Sequence, residues 1–288
     1  MLSLFRTKKF LLKKKKYNEA ERLLRRVKAG LFIQQQSAGI EIGGNGGEVP
    51  RLSQVFSIAG GEKIDYELVK KKALDFVSDK SWEIRNMGVK LLGEIRCREG
   101  IKPLCELLLN KKEVGFVRRN SAKALGKIGL DLPEVIDALV NSMDNSYWEI
   151  RTEAIKALGI LVGKNKKIEN RLIERLFGKN FQNLISQNGS HRVRYKEKNL
   201  EVREAIAETL GEVGVSHDTV LALKHLLTDD IWMVRSKALN SLAQVLGSAN
   251  EEFKKIASGV DLTCESFVPV FPLKDVYSKI IKNDKVKK

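Results

Sequence analysis

The chain has 288 residues, 43% of them hydrophobic and 31% charged, with a formal net charge of +16. That apolar share supports a sizeable core and excludes a fully disordered chain, and no apolar run reaches the ~18 residues of a membrane-spanning helix. Three cysteines without paired spacing (Cys97, Cys105 and Cys264) exclude a disulfide framework; with no secretory pattern at the start, the chain reads as cytoplasmic.

Residues 1–30 hold 11 basic and 2 acidic side chains. Phe5, Phe10, Leu11 and Leu12 precede four consecutive lysines, Lys13 to Lys16. This is a basic helical arm, suited to an anionic membrane surface, to nucleic acid, to a docking partner, or to folding back as an N-terminal cap. Residues 31–63 are a Gly/Gln-rich connection. Their glycines, Gly43-Gly44-Asn45-Gly46-Gly47, lack the spacing of a dinucleotide fingerprint.

Residues 64–247 repeat. Arg85, Arg118, Arg151, Arg203 and Arg235 each follow an apolar residue, and three of them stand three residues after a tryptophan, Trp82, Trp148 or Trp232. Seven residues past each arginine is a leucine (Leu92, Leu125, Leu158, Leu210, Leu242), followed by a small residue (Gly93, Gly126, Gly159, Gly211, Ala243). Apolar residues at −1, +4 and +7 share one helix face, and the small residue at +8 lets a neighbouring helix approach closely. An amphipathic run precedes each such helix: 64–77, 101–109, 135–143, 168–177 and 220–227. The turns between carry capping residues such as Asp79, Asn110, Asp144 and Asp229. One hairpin cannot bury its apolar face alone, whereas stacked hairpins can.

An acidic turn, then Trp or aliphatic-x-Val/Ile-Arg, then an Ala/Leu-rich helix ending Leu-Gly resembles the HEAT-repeat family, in particular its short phycobilin-lyase-like form. The resemblance covers residues 64 to about 247 and implies an all-α fold: a right-handed α-solenoid of about five HEAT-like helical hairpins, flanked by the basic N-terminal arm and a C-terminal cap over 248–288. It also implies that the repeat arginines bond the aspartates of adjacent turns, with Asp79, Asp144 and Asp229 available here, and that the second helices line the concave surface. We expect the tryptophans to pack against adjacent hairpins rather than stack bases.

The outward stripe of each second helix lies at +1, +5 and +9 from its arginine. It reads Asn86/Lys90/Glu94, Arg119/Lys123/Lys127, Thr152/Lys156/Ile160, Glu204/Glu208/Glu212 and Ser236/Asn240/Gln244. The stripe therefore runs from basic to acidic, which suits a protein partner of complementary charge and repels a continuous polyanion at one end.

The arginine spacings are 33, 33, 52 and 32. The long one marks an insertion at about 178–199, where His191, Arg192, Arg194, Tyr195 and Lys196 are candidates to grip a phosphate or an acidic peptide. Residues 164–198 hold 10 basic and 3 acidic side chains, and residues 274–288 hold 6 and 2. The basic excess thus lies in the two ends and one internal segment, while the remaining body is slightly acidic. Beyond Leu246, a helix from Asn250 to Ser258 and the extended Phe267-Val268-Pro269-Val270-Phe271-Pro272 are expected to cover the last repeat.

No nucleophile elbow, P-loop or His-Glu pair occurs, and His217 and His225 have no cysteine at zinc-site spacing. We therefore expect no cofactor, no metal and no small-molecule substrate. The leading expectation is a non-enzymatic scaffold that binds a protein partner on its concave face. The alternative is nucleic-acid binding through the arm and the insertion, and the third is an enzyme of the bilin-lyase or DNA-alkylation-repeat glycosylase type.

Overall fold

The computed structural model describes residues 2–37, 55–57, 63–179, 181, 195–258 and 260. It divides into two compact units, Met1–Ser142 and Met143–Lys288. Both are built from helices stacked in two layers, as a helical repeat solenoid requires.

The first unit opens with α1, Leu2–Ser37. It runs past residue 30 because no proline interrupts it and its Lys, Arg, Leu and Ala content favours helix. Ala20, Leu24 and Val27 are buried at i, i+4 and i+7 and face α3, Trp82–Glu94, on which α1 packs. Its earlier turns expose Phe10, Leu11 and Leu12. Within the stretch read as a connection lies a short antiparallel hairpin, β1 (Val55–Ser57) with β2 (Lys63–Asp65), in the register Val55↔Asp65 and Ser57↔Lys63. It is a small departure from an all-helical plan. Helix α2, Tyr66–Val77, begins two residues later than its apolar pattern because Asp65 caps it, accepting from the Glu67 amide at 2.9 Å.

The rest of this unit is α4 (Ile101–Leu109), α5 (Gly115–Ile128) and α6 (Pro133–Ser142). Proline at the first position of α6 forfeits no helical hydrogen bond. First helices stack on first helices, α4 on α6, and second on second, α3 on α5. The small residue at +8 decides how close the latter come. A Cβ on Gly93 would lie 2.9 Å from both Cα and Cβ of Ala124.

The second unit comprises α7 (Trp148–Leu161), α8 (Lys166–Phe177), α9 (Leu200–Val213), α10 (His217–Leu226), α11 (Trp232–Leu246) and α12 (Glu251–Ser258). Helix α9 packs between α7 and α11, with Gly159 against Thr209 and Gly211 against Ser241. The buried Glu169 ties α8 to the α9–α10 turn by accepting from the Val215 amide and the Ser216 hydroxyl. Helix α12 seats the fully buried Phe253 against the last repeat. Cys264, the apolar stretch 267–272 and the basic tail lie outside the described residues.

Candidate functional site

Arg85, Arg151 and Arg203 are each held by their own turn and reach into the next. Arg85 Nη1 donates to the carbonyls of Asp79 and Lys80, Arg151 Nη1 to those of Asn145 and Ser146, and Arg235 Nη1 to those of Asp229 and Asp230. The other edge of the guanidinium forks onto a carboxylate of the following turn. Arg85 grips Glu113 at 2.8 and 2.7 Å, Arg151 grips Glu197 at 3.1 and 2.8 Å, and Arg203 grips Asp229 at 2.8 and 3.1 Å. Arg118, also buried, donates to the Leu108 carbonyl. Such bidentate forks suit guanidinium and carboxylate geometry.

The ladder therefore exists, but two of the three expected aspartates serve elsewhere. Asp79 offers Arg85 only its carbonyl, and its carboxylate pairs with Lys16 at 2.7 Å. Asp144 pairs with Arg171 and Arg175. Glu113 and Glu197 take the rungs instead. Glu197 also receives Arg175 and the Asn199 amide. Burial pushes its carboxyl up, but the Asn199 amide and the two guanidiniums together outweigh that and hold it below the usual carboxylate range. The tryptophan slot is a packing position that stays partly open: Trp82 is 38% exposed and stacks on Phe116 at 6.3 Å. Phe116 in turn carries the Arg119 guanidinium over its ring at 5.5 Å.

With the repeat arginines engaged in structure, the charge free to meet a ligand lies on the outward stripe. In the first unit Lys90, Arg119, Lys123 and Lys127 converge on one cleft of about 250 Å³, joined by Lys28 from α1, with Glu94, Asn120, Gly93 and Ala124 completing its walls. The repeat explains the convergence: Lys90 and Lys123 occupy the same template position on α3 and α5, which the Gly93–Ala124 contact draws together. Glu94 is the cleft's carboxylate and is engaged by Lys127 at 2.8 Å and Lys28 at 3.7 Å. Asn120 donates to Asn86 at 2.7 Å. Burial lowers the Lys90 pKa, and the nearby Lys28, Arg119 and Lys123 lower it further. Its ammonium sits among like charges.

In the second unit the stripe is different. Lys156 is exposed on α7, Ile160 is 70% exposed, and Glu208 on α9 pairs with Lys237 of α11 at 2.8 Å. Glu204 and Glu212 are half-buried. Of the insertion candidates, His191, Arg192 and Arg194 lie outside the described residues. Tyr195 is set by packing: its ring tilts against Phe177 at 5.6 Å, Arg203 lies over it at 5.1 Å, and its hydroxyl donates to the His225 carbonyl at 3.2 Å. Lys196 is exposed, and its backbone amide donates to Leu176 at 2.8 Å. His225 is packed edge-on against Phe177 and Phe181, and burial lowers its pKa. Among the described residues, no group of His, Cys, Asp and Glu is arranged to hold a metal ion, and no helix is long and apolar enough to cross a membrane.

Sequence reasoning missed Lys28, Glu113 and Glu197. The signal for Glu197 was an offset: Asp79, Asn145, Glu197 and Asp229 each stand six residues before a repeat arginine. Each also accepts a hydrogen bond from the amide two residues on. Asp144 is one residue off that position. For Lys28 no repeat offset applies, because α1 stands outside the repeat.

Residues 71–159 match the family model for HEAT repeats. That segment carries HEAT repeats. Among solved structures it is similar to the complex of CpcE and CpcF of phycocyanin lyase from Nostoc sp. PCC7120, at 19% identity over 77% of this chain and 76% of that one, with a TM-score of 0.50. An engineered protein is similar at 17% identity over 81% of this chain and 92% of its own, with a TM-score of 0.48. At these identities the first likeness shows a shared fold. No curated protein matches the chain by sequence.

Proposed function

We propose that this HEAT-repeat chain is a non-enzymatic scaffold that binds a protein partner through the outward stripe of its second helices. The observation that carries the reading is the first-unit cleft, where Lys90, Arg119 and Lys123 meet with one carboxylate nearby, itself engaged by two other lysines. Cations gathered against their own repulsion favour an incoming acidic group. Support for the nucleic-acid alternative is thinner, because Lys13, Lys16 and Lys28 of α1 are paired with Glu83, with Asp75 and Asp79, and with Glu94.

The test is co-purification with quantitative mass spectrometry, comparing the wild-type chain with Lys123→Glu/Lys156→Glu. The reading expects specific partners that are depleted at least ten-fold by charge reversal. Partners retained equally by both proteins, or none above background, would contradict it.

A further inference from the structure

We propose that the cleft between α1, α3 and α5 recognises a phosphoryl group, carried on a serine or threonine side chain of the protein partner. The proposal rests on the reading of this cleft as a binding face and names the chemistry that would fill it. Five cations, Lys28, Lys90, Arg119, Lys123 and Lys127, line the cleft against one carboxylate. That carboxylate, Glu94, is engaged by Lys127 and Lys28, so Lys90, Arg119 and Lys123 have no acidic partner among the described residues. A single carboxylate ligand would leave most of this charge uncompensated. A phosphoryl group brings close to two negative charges and three acceptor oxygens to one point, and it suits both lysine and the planar donor edge of arginine.

Size and lining narrow the choice. About 250 Å³ holds a phosphoryl group with a few flanking atoms, not a length of polymer. The Gly93–Ala124 contact brings no bulky side chain into the cleft, and none of its lining residues is aromatic. A nucleobase would find no ring to stack on there. A nucleic-acid backbone would also need basic character to continue along the repeats, and α9 carries Glu204, Glu208 and Glu212 at the equivalent positions. An isolated phosphoryl on a peptide satisfies both constraints. Lys28 adds a second feature. It comes from α1, outside the repeat, so the site is complete only when α1 is docked on α3.

The test uses the full chain and two probes. The first is inorganic pyrophosphate, titrated by calorimetry and by thermal melting. The second is a pair of fluorescent degenerate peptide pools, identical except for serine or phosphoserine at the centre. The proposal expects pyrophosphate to bind and raise the Tm, the phosphoserine pool to bind at least ten-fold tighter than the serine pool, and pyrophosphate to displace it. Lys90→Gln/Lys123→Gln should weaken both at least ten-fold, whereas Lys111→Gln, on an exposed turn, should weaken neither. The melting temperature of the double variant without anion should equal or exceed that of wild type, which also establishes that it folds.

Pyrophosphate that fails to bind, or that binds the double variant equally well, overturns the site. Pyrophosphate binding with no preference between the pools overturns the peptide source. A single-stranded oligonucleotide that binds tighter than the phosphoserine pool, and depends on the same lysines, transfers the cleft to nucleic acid. If the pools are not distinguished yet a captured partner still depends on Lys123 and Lys156, the scaffold reading survives and this inference does not.

Discussion

Arg151 makes four hydrogen bonds with three partners: two carbonyls of its own turn and the forked carboxylate of Glu197, a residue 46 positions further along. A guanidinium this deeply buried, at 8% exposure, is tolerable only while every edge is satisfied. Glu197→Ala should therefore cost about 3–5 kcal/mol, read by urea denaturation, and Asp229→Ala should cost about as much by stranding Arg203. The pH dependence follows from the direction of the Glu197 shift. Its folded pKa lies below its ordinary value of 4.5, so the carboxylate's contribution is fully present above that value and is lost as pH falls through the folded one. Glu197→Gln should flatten the acid limb of stability against pH. Lys90 behaves in the opposite sense. Its folded pKa is lowered from 10.5, so its charged form costs stability at neutral pH, and that cost fades as pH rises through the folded value. Lys90→Gln should leave the neutral-pH Tm unchanged or higher, whereas replacing a structural lysine would lower it. Cys97 and Cys105 are buried, and burial pushes both thiols up to about 11. Native protein should label slowly at both, as read by peptide mapping. A residue's place in the template was legible from spacing, which located all five arginines. Its hydrogen-bond partner was not: Asp79, six residues before Arg85, gives its carboxylate to Lys16, whereas Glu113, five residues before Arg118 and off that position, takes the Arg85 rung.

Helices and their close approaches were legible wherever the 3.6-residue pattern was undisturbed. Small residues after the leucines marked the contacts of α3 with α5, α7 with α9 and α9 with α11. Gly93→Val should cost about 1–3 kcal/mol by forcing α3 from α5, and by widening that contact it should also weaken anion binding in the cleft. What the pattern could not place was α1. Its hydrophobic residues are diluted by lysine, and only Ala20, Leu24 and Val27 reveal the buried seam. That seam lies on α3 as α3 lies on α5, so the helix covers the open face of the first repeat, and the ion pairs Lys13–Glu83 and Lys16–Asp79 secure its flank. Exposed pairs of this kind add about 0.2–1 kcal/mol each, so the apolar seam dominates. Leu24→Ala should cost about 2–5 kcal/mol and lower anion affinity by loosening Lys28.

Across the whole molecule the net charge of +16 is a poor guide to partners until it is located. Much of it sits in α1, in the segment around the insertion and in the tail, and part of the α1 share is neutralised by acids of α2 and α3. The cleft is different because repeat geometry, not composition, concentrates its cations. Weak non-specific binding of polyanions should therefore collapse with salt in proportion to the many appendage lysines, while the cleft's ligand should show a shallower slope set by a few contacts. Salt titrations of the phosphoserine pool and of a random oligonucleotide separate the two.

The most direct measurement of where a partner sits is lysine cross-linking of the captured complex, mapped by mass spectrometry. The account predicts that partner cross-links concentrate on Lys28, Lys90, Lys123 and Lys127. Cross-links confined to lysines elsewhere, such as Lys14, Lys15, Lys111 and Lys112, with those four lysines still freely acetylated in the complex, would contradict it.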